Sequence, residues 1–152
     1  MEKFAAGIVP YILINEKRYF LLGLEKSNNK WSGFVGSAED NETVPQTALR
    51  EFNEETACIF RDYLDDIGEK VLKTTAKYHT TATGRIVYIY FIELPEKGQD
   101  CIKNFIKDRD GLLEECYHEK SILKWFTIDE IEHSNRIFYK LKKMIKITFN
   151  CV

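Results

Sequence analysis

The chain has 152 residues, the size of one ordinary domain, and its 44% hydrophobic and 13% aromatic content can fill a substantial core. Its 22 Lys and Arg against 24 Asp and Glu leave a formal net charge of −2, so nothing global draws it to nucleic acid or to a membrane surface. The cysteines (Cys58, Cys101, Cys116, Cys151) form no CxxC pair and the histidines (His79, His118, His133) no HExxH, which argues against zinc; scattered cysteines without a secretory signal fit a reducing, cytoplasmic setting.

Phe4–Ile14 is an apolar run interrupted by Pro10, with no small-residue cleavage motif after it, so it reads as a strand rather than a signal segment. Pro10 places part of that strand at an edge or a bulge. A turn at Asn15-Glu16-Lys17-Arg18 leads to a hairpin partner, Tyr19–Leu24, and a polar loop covers 25–30. Trp31-Ser32-Gly33-Phe34-Val35-Gly36 is a short apolar approach to a helix predicted over Thr43–Thr56, with Thr43 as cap and Pro45 in the first turn. Residues 59–66 mix aromatic and acidic side chains and stay ambiguous. Val71–Thr81 is expected to contain a strand, Gly84 a turn, and Ile86–Leu94, ended by Pro95, a strand rich in β-branched and aromatic residues. Cys101–Lys107 reads as a short helix with Ile102, Phe105 and Ile106 on one face. The long segment 95–124 is the expected variable lid and a place for substrate choice. Ile122–Phe126 is the last strand. Thr127 with Glu130 makes a capping box for a short helix, and a final helix is expected over Ser134–Phe149. Ile137, Phe138, Leu141, Met144, Ile145 and Ile147 give that helix its apolar stripe. Lys140, Lys142, Lys143 and Lys146 give it a basic side, read as a solvated face in preference to an RNA-binding strip. No stretch is long enough to span a bilayer.

The helix over 43–56 holds the chemistry. At about 100° per residue, Glu55 lies about 40° to one side of Glu51 and Glu54 about 60° to the other. The three acids share a face beside an apolar stripe of Ala48, Leu49, Phe52 and Thr56. Two charges about 6 Å apart repel by roughly 3 kcal/mol at an effective dielectric near 20, before screening. The helix has no lysine, and Arg50 is its only cation. A divalent cation would remove the repulsion, and several hard oxygen ligands suit Mg²⁺ or Mn²⁺.

Gly36, five residues, Glu42, seven residues, then Arg50-Glu51-Phe52-Asn53-Glu54-Glu55 resembles the Nudix box of the Nudix hydrolases. The pattern departs at its end, where Ala57 and Cys58 stand in place of a glycine and an aliphatic residue, with every acidic position intact. Trp31–Gly36 also resembles the approach of the oxidised-purine nucleoside triphosphatase group, except that Ser32 stands where that group has a base-contacting asparagine.

The resemblance implies an α/β fold, a Nudix-type α/β/α sandwich with a mixed sheet, as a single domain over 1–152. It implies hydrolysis of a pyrophosphate bond in a nucleoside diphosphate linked to some group X, with one to three Mg²⁺ or Mn²⁺ ions. Glu51, Glu54 and Glu55 would be the main metal ligands, joined by the Gly36 carbonyl. One acid would instead take a proton from water, often the one at the Glu51 position, and Arg50 would orient a box glutamate. Glu42, outside the helix, reads as a structural or outer acid. An acid from the loop before the last strand is commonly recruited, with Glu119 the first candidate and Glu115 the second. Ser32, Phe34, Tyr78, Tyr88 and Trp125 are candidate substrate contacts. The favoured substrate is a nucleoside triphosphate or a related small nucleotide. The alternatives are an mRNA cap, a dinucleoside polyphosphate, ADP-ribose or a diphosphoinositol polyphosphate, with RNA not favoured. A homodimer is a candidate assembly. The reading of another class is a non-catalytic domain that binds a nucleotide or a protein, against which the intact acids argue.

Overall fold

The computed structural model describes residues 3–149, so Cys151 lies outside the described residues. The chain runs through strands β1 (Ala5–Ile14), β2 (Lys17–Glu25), β3 (Trp31–Ser32) and β4 (Phe34–Ser37), then helices α1 (Val44–Glu55) and α2 (Leu64–Lys73). Strands β5 (Lys77–Thr80) and β6 (Ile86–Glu93) follow, then helix α3 (Phe105–Asp110), strand β7 (Lys120–Thr127) and helices α4 (Ile128–His133) and α5 (Tyr139–Thr148).

Strand β1 is the axis of a mixed sheet. On one side β6 runs parallel to it, from Ala5 opposite Val87 to Tyr11 opposite Glu93. On the other side two antiparallel partners divide it: β4 takes Ala5–Ile8 and β2 takes Tyr11–Ile14. Neither of those ladders includes Val9 or Pro10. The expectation of an edge or bulge at Pro10 is therefore corrected. The proline sits in a central strand, at the gap between two partners, where a missing N–H breaks no ladder bond on that side. Beyond β6 lies β5, and beyond β2 lie β3 and β7.

Alternation along β1 and β6 feeds two cores, as a strand buried on both faces requires. Ala6, Ile8, Ile12, Tyr90 and Ile92 face Ala48 and Phe52 of α1 and Ile67 and Val71 of α2. Val9, Ile89 and Phe91 face Ile131 of α4 and Leu141, Met144 and Ile145 of α5. Helices thus cover both faces, and the architecture is the α/β/α sandwich that the resemblance implies. No helix among the described residues is long and apolar enough to cross a membrane.

Several local expectations shift. The hairpin turn is Asn15-Glu16 alone, both with left-handed φ (51° and 66°), and Lys17 already belongs to β2. Val71–Lys73 closes α2, and only Lys77–Thr80 is strand. The short helix expected over 101–107 is a 3₁₀ stretch, Glu96–Asn104, running into α3; Phe105 is buried there and Ile106 is exposed. The last helix begins at Tyr139 rather than Ser134, because Trp31 N–H donates to the Arg136 carbonyl and Trp31 bridges Ile137. Phe138 and Ile147 leave the predicted stripe and are exposed.

Candidate active site

Helix α1 is built as its sequence predicts. Thr43 Oγ1 accepts from the Gln46 N–H, the Gln46 side-chain oxygen accepts from the Thr43 N–H in return, and a proline occupies the first turn. Ala48 and Phe52 anchor the helix in the core, which turns the adjoining carboxylate face towards β4. There Gly36 has a steric function: a Cβ on it would stand 2.2 Å from Glu51 Cδ and 2.3 Å from each carboxylate oxygen. The box glycine is required because the Glu51 carboxylate lies against its Cα.

Arg50 ties the site together. Its Nε and Nη2 donate to Glu42 at 2.7 and 3.0 Å, and Nη2 also donates to the Ser37 carbonyl at 2.9 Å. Its Nη1 donates to Glu51 at 3.0 Å and Glu54 at 3.2 Å. The bidentate pair holds the Glu42 carboxyl down at about 2, the Arg50 bonds being the largest cause. Glu42 also accepts from Thr47 Oγ1 and the Glu39 N–H. It is a structural acid, and it braces the only cation of the helix.

Glu51, Glu55 and Glu119 each offer an oxygen, and all three oxygens lie within 4.8 Å of one another. Glu119 stands just before β7. Glu54, on the same helix face, is outside this triple and is held by Arg50. Burial is the largest influence on all three acids and raises each, Glu55 well above the ordinary range. Glu55 is 1% exposed, and its Oε2 is buried without a hydrogen-bond partner. A buried, unpartnered carboxylate oxygen beside two more acids could hold a cation, and a hard divalent ion fits the all-oxygen donor set.

Residues outside the sequence-predicted set complete the site. Lys120, first in β7, is fully buried. Its ammonium donates to Glu25 Oε1 (2.8 Å), Ser32 Oγ (2.6 Å) and the Gly33 carbonyl (3.0 Å), and lies 3.4 Å from Glu55 Oε1. Glu25 is the cross-strand partner of Lys120, at an irregularity in the β2–β7 ladder. No local signal marks either residue: Glu25 opens a polar loop, and Lys120 follows His118-Glu119 in a charged stretch.

A cleft of about 560 Å³ opens beside the acids, lined by Glu25, Lys26, Ser27, Gly36, Glu51 and Glu119 among others. None of the predicted side-chain substrate contacts lines this cleft. Phe34 is fully buried and packs edge-on against Phe52 of the box helix, so its ring has no face to offer a ligand. Ser32 spends its hydroxyl on Glu25 and Lys120. The Trp125 indole donates to the Gln99 carbonyl. Tyr78 is exposed on β5, against Tyr88, and borders a different groove with Lys140 and Met144 of α5. Trp31 packs on Phe126 in the second core.

The departure at the end of the box has a backbone consequence. Ala57 and Cys58 turn the chain out of α1 with φ of 52° and 60°, a conformation that glycine adopts at least cost.

Residues 4–146 match the NUDIX domain family. An uncharacterised protein of Acanthamoeba polyphaga mimivirus is 39% identical over 62 residues, which cover 37% of this chain and 20% of that protein. The match thus spans a fifth of that relative's length. Among solved structures, a binary complex of a Caenorhabditis elegans Ap4A hydrolase superposes with a TM-score of 0.63 at 18% identity, covering 96% of each chain. The NUDIX domain of Shewanella oneidensis NrtR, complexed with ADP ribose, superposes with a TM-score of 0.60 at 16% identity, covering 100% of this chain and 90% of that one. At those identities the superpositions speak for the fold, and the family match speaks for descent: the chain belongs to the NUDIX domain family.

Proposed function

We propose that this Nudix hydrolase cleaves a pyrophosphate bond in a nucleoside diphosphate linked to X, with a nucleoside triphosphate or related small nucleotide as the first substrate class. Glu51, Glu55 and Glu119 would hold Mg²⁺ or Mn²⁺, with the Gly36 carbonyl beside them. The observation that carries this reading is the convergence of the three carboxylates within 4.8 Å around a buried, unpartnered Glu55 oxygen. When bound, the cation screens the phosphate oxygens and acidifies water near neutral pH.

The chain's own residues do the rest. Arg50 fixes Glu51 and Glu54 in orientation through charge-assisted bonds. Glu54, outside the converging triple, accepts the proton of the attacking water as a new P–O bond forms and the bridging P–O bond breaks. Lys26 lines the cleft and supplies a cation for the phosphate chain. The likeness to an Ap4A hydrolase and to an ADP-ribose complex supports adding dinucleoside polyphosphates and ADP-ribose to the substrates tested.

The test is a hydrolysis panel with Mg²⁺ or Mn²⁺ over dNTPs, oxidised dNTPs, dinucleoside polyphosphates, ADP-ribose, diphosphoinositols and capped RNA. Turnover of one class should vanish with chelator. Glu54→Gln should lower kcat about 10²–10⁴-fold with Mn²⁺ affinity kept, whereas Glu55→Gln should lose Mn²⁺ affinity. A chain that neither binds metal nor turns over any substrate would instead be a binding domain.

A further inference from the structure

We infer that Lys120 is a tethered cation: its ammonium fills an inner cation position among the site oxygens, so the native chain takes a single divalent ion, on the Glu51, Glu55 and Glu119 face. The inference rests on the cation site proposed above and concerns how many ions that site admits.

Four oxygens from three segments surround the ammonium: Glu25 Oε1, Ser32 Oγ, the adjacent Gly33 carbonyl and Glu55 Oε1, at 2.6 to 3.4 Å. Two are carboxylate oxygens, one is a hydroxyl and one a carbonyl, a donor set that also suits a hard metal ion. An ammonium has three donors. Those three go to Glu25, Ser32 and Gly33, so Glu55 meets Lys120 as a charge, and its Oε2 stays open.

The position is built to receive the lysine. A Cβ on Gly23 would stand 2.7 Å from Lys120 Cδ, so the glycine leaves the channel through which the stem runs. The Phe34 ring lies 5.6 Å from the ammonium and closes its other side. A surface lysine needs none of this. Burial of an ammonium is costly, and here it is offset by two acids that would otherwise be buried or half-buried without a counter-charge. Glu55 therefore has a permanent cation on one oxygen and a position for an exchangeable one on the other.

Mn²⁺ titration of the metal-free chain, followed by electron paramagnetic resonance of free Mn²⁺ and without substrate, reads the ion count directly. The native chain should bind one Mn²⁺. Lys120→Ala, which vacates the four-oxygen pocket, should bind two. A lysine with a purely structural role would not add a site on removal. Two or more ions on the native chain overturn the inference, as does an unchanged count in folded Lys120→Ala. If that variant fails to fold, the native count alone decides. No Mn²⁺ on the native chain overturns the underlying cation site as well, which separates the two failures.

Discussion

Glu42 and Glu55 are glutamates of one sequence motif in opposite surroundings. Glu42 is paired bidentately with Arg50 and held at about 2, well below its ordinary value of 4.5. Its contribution to stability is therefore full above about pH 4.5 and is lost as pH falls towards 2. Glu42→Gln should cost about 1.5–3 kcal/mol in urea unfolding near neutral pH, the worth of hydrogen bonds to a charged partner. The gap between native and variant should narrow steadily below pH 4.5, and a gap constant down to pH 2.5 would contradict the pairing. Glu55 is buried with an open oxygen, and burial raises it. Beside them, Gly36 acts through what it lacks. Gly36→Ala places a methyl within the Glu51 carboxylate's space. It should weaken Mn²⁺ binding about 10–100-fold, as other changes that misplace a metal ligand do, while far-ultraviolet circular dichroism stays native.

Helix α1 shows how an element carries its own address. Its cap, its proline and its apolar spacing are all local, so the sequence predicts it almost to the residue. Thr43→Ala should cost about 1 kcal/mol through the lost cap. The exit from the helix is less comfortable, because Cys58 adopts a left-handed φ of 60°. An L-residue there costs about 1–2 kcal/mol, and glycine returns about 0.4–1 through the freer unfolded chain. Cys58→Gly should therefore raise unfolding stability by about 0.5–1 kcal/mol, measured in urea, and leave turnover unchanged. Other elements were less legible. The apolar spacing around Ile137 and Phe138 suits a helix, yet Trp31, more than a hundred residues earlier, claims the backbone of Arg136 and Ile137 for a bridge. The segment 71–81 does contain its expected strand, but only at Lys77–Thr80, for a related reason. Val71 keeps the helical period of α2, and the edge strand β5 needs β6 to define it.

On the scale of the whole molecule, the divided pairing of β1 brings β4 beneath α1, while β2 carries β7 and Glu119 to the same place. Acids held in surplus by this framework should make stability depend on metal. Mn²⁺ at a hundred times its Kd should add about 2.7 kcal/mol. For a chain of this size that is roughly 5–10 °C in Tm, and Glu55→Gln should abolish most of the rise in a thermal melt. What the sequence by itself determined was the box: Gly36, the helix with its cap, and Glu51, Glu54 and Glu55 on one face. Those residues lie within one short segment, and helical periodicity alone places them. Strands β1, β2, β6 and β7 were legible for the same local reason, whereas β3 and β4, read as a short apolar approach, are defined by pairing with β2 and β1. What only the tertiary structure decided was the company those acids keep. Glu25, Ser32 and Lys120 come from separate strands, and a lysine becomes a buried cation only when distant segments supply its oxygens. Phe34 and Ser32, adjacent to the box in sequence, were lost as ligand contacts because the core and Lys120 claimed them first. Local spacing fixes direction along one helix, whereas burial is set by segments that only the folded sheet brings together.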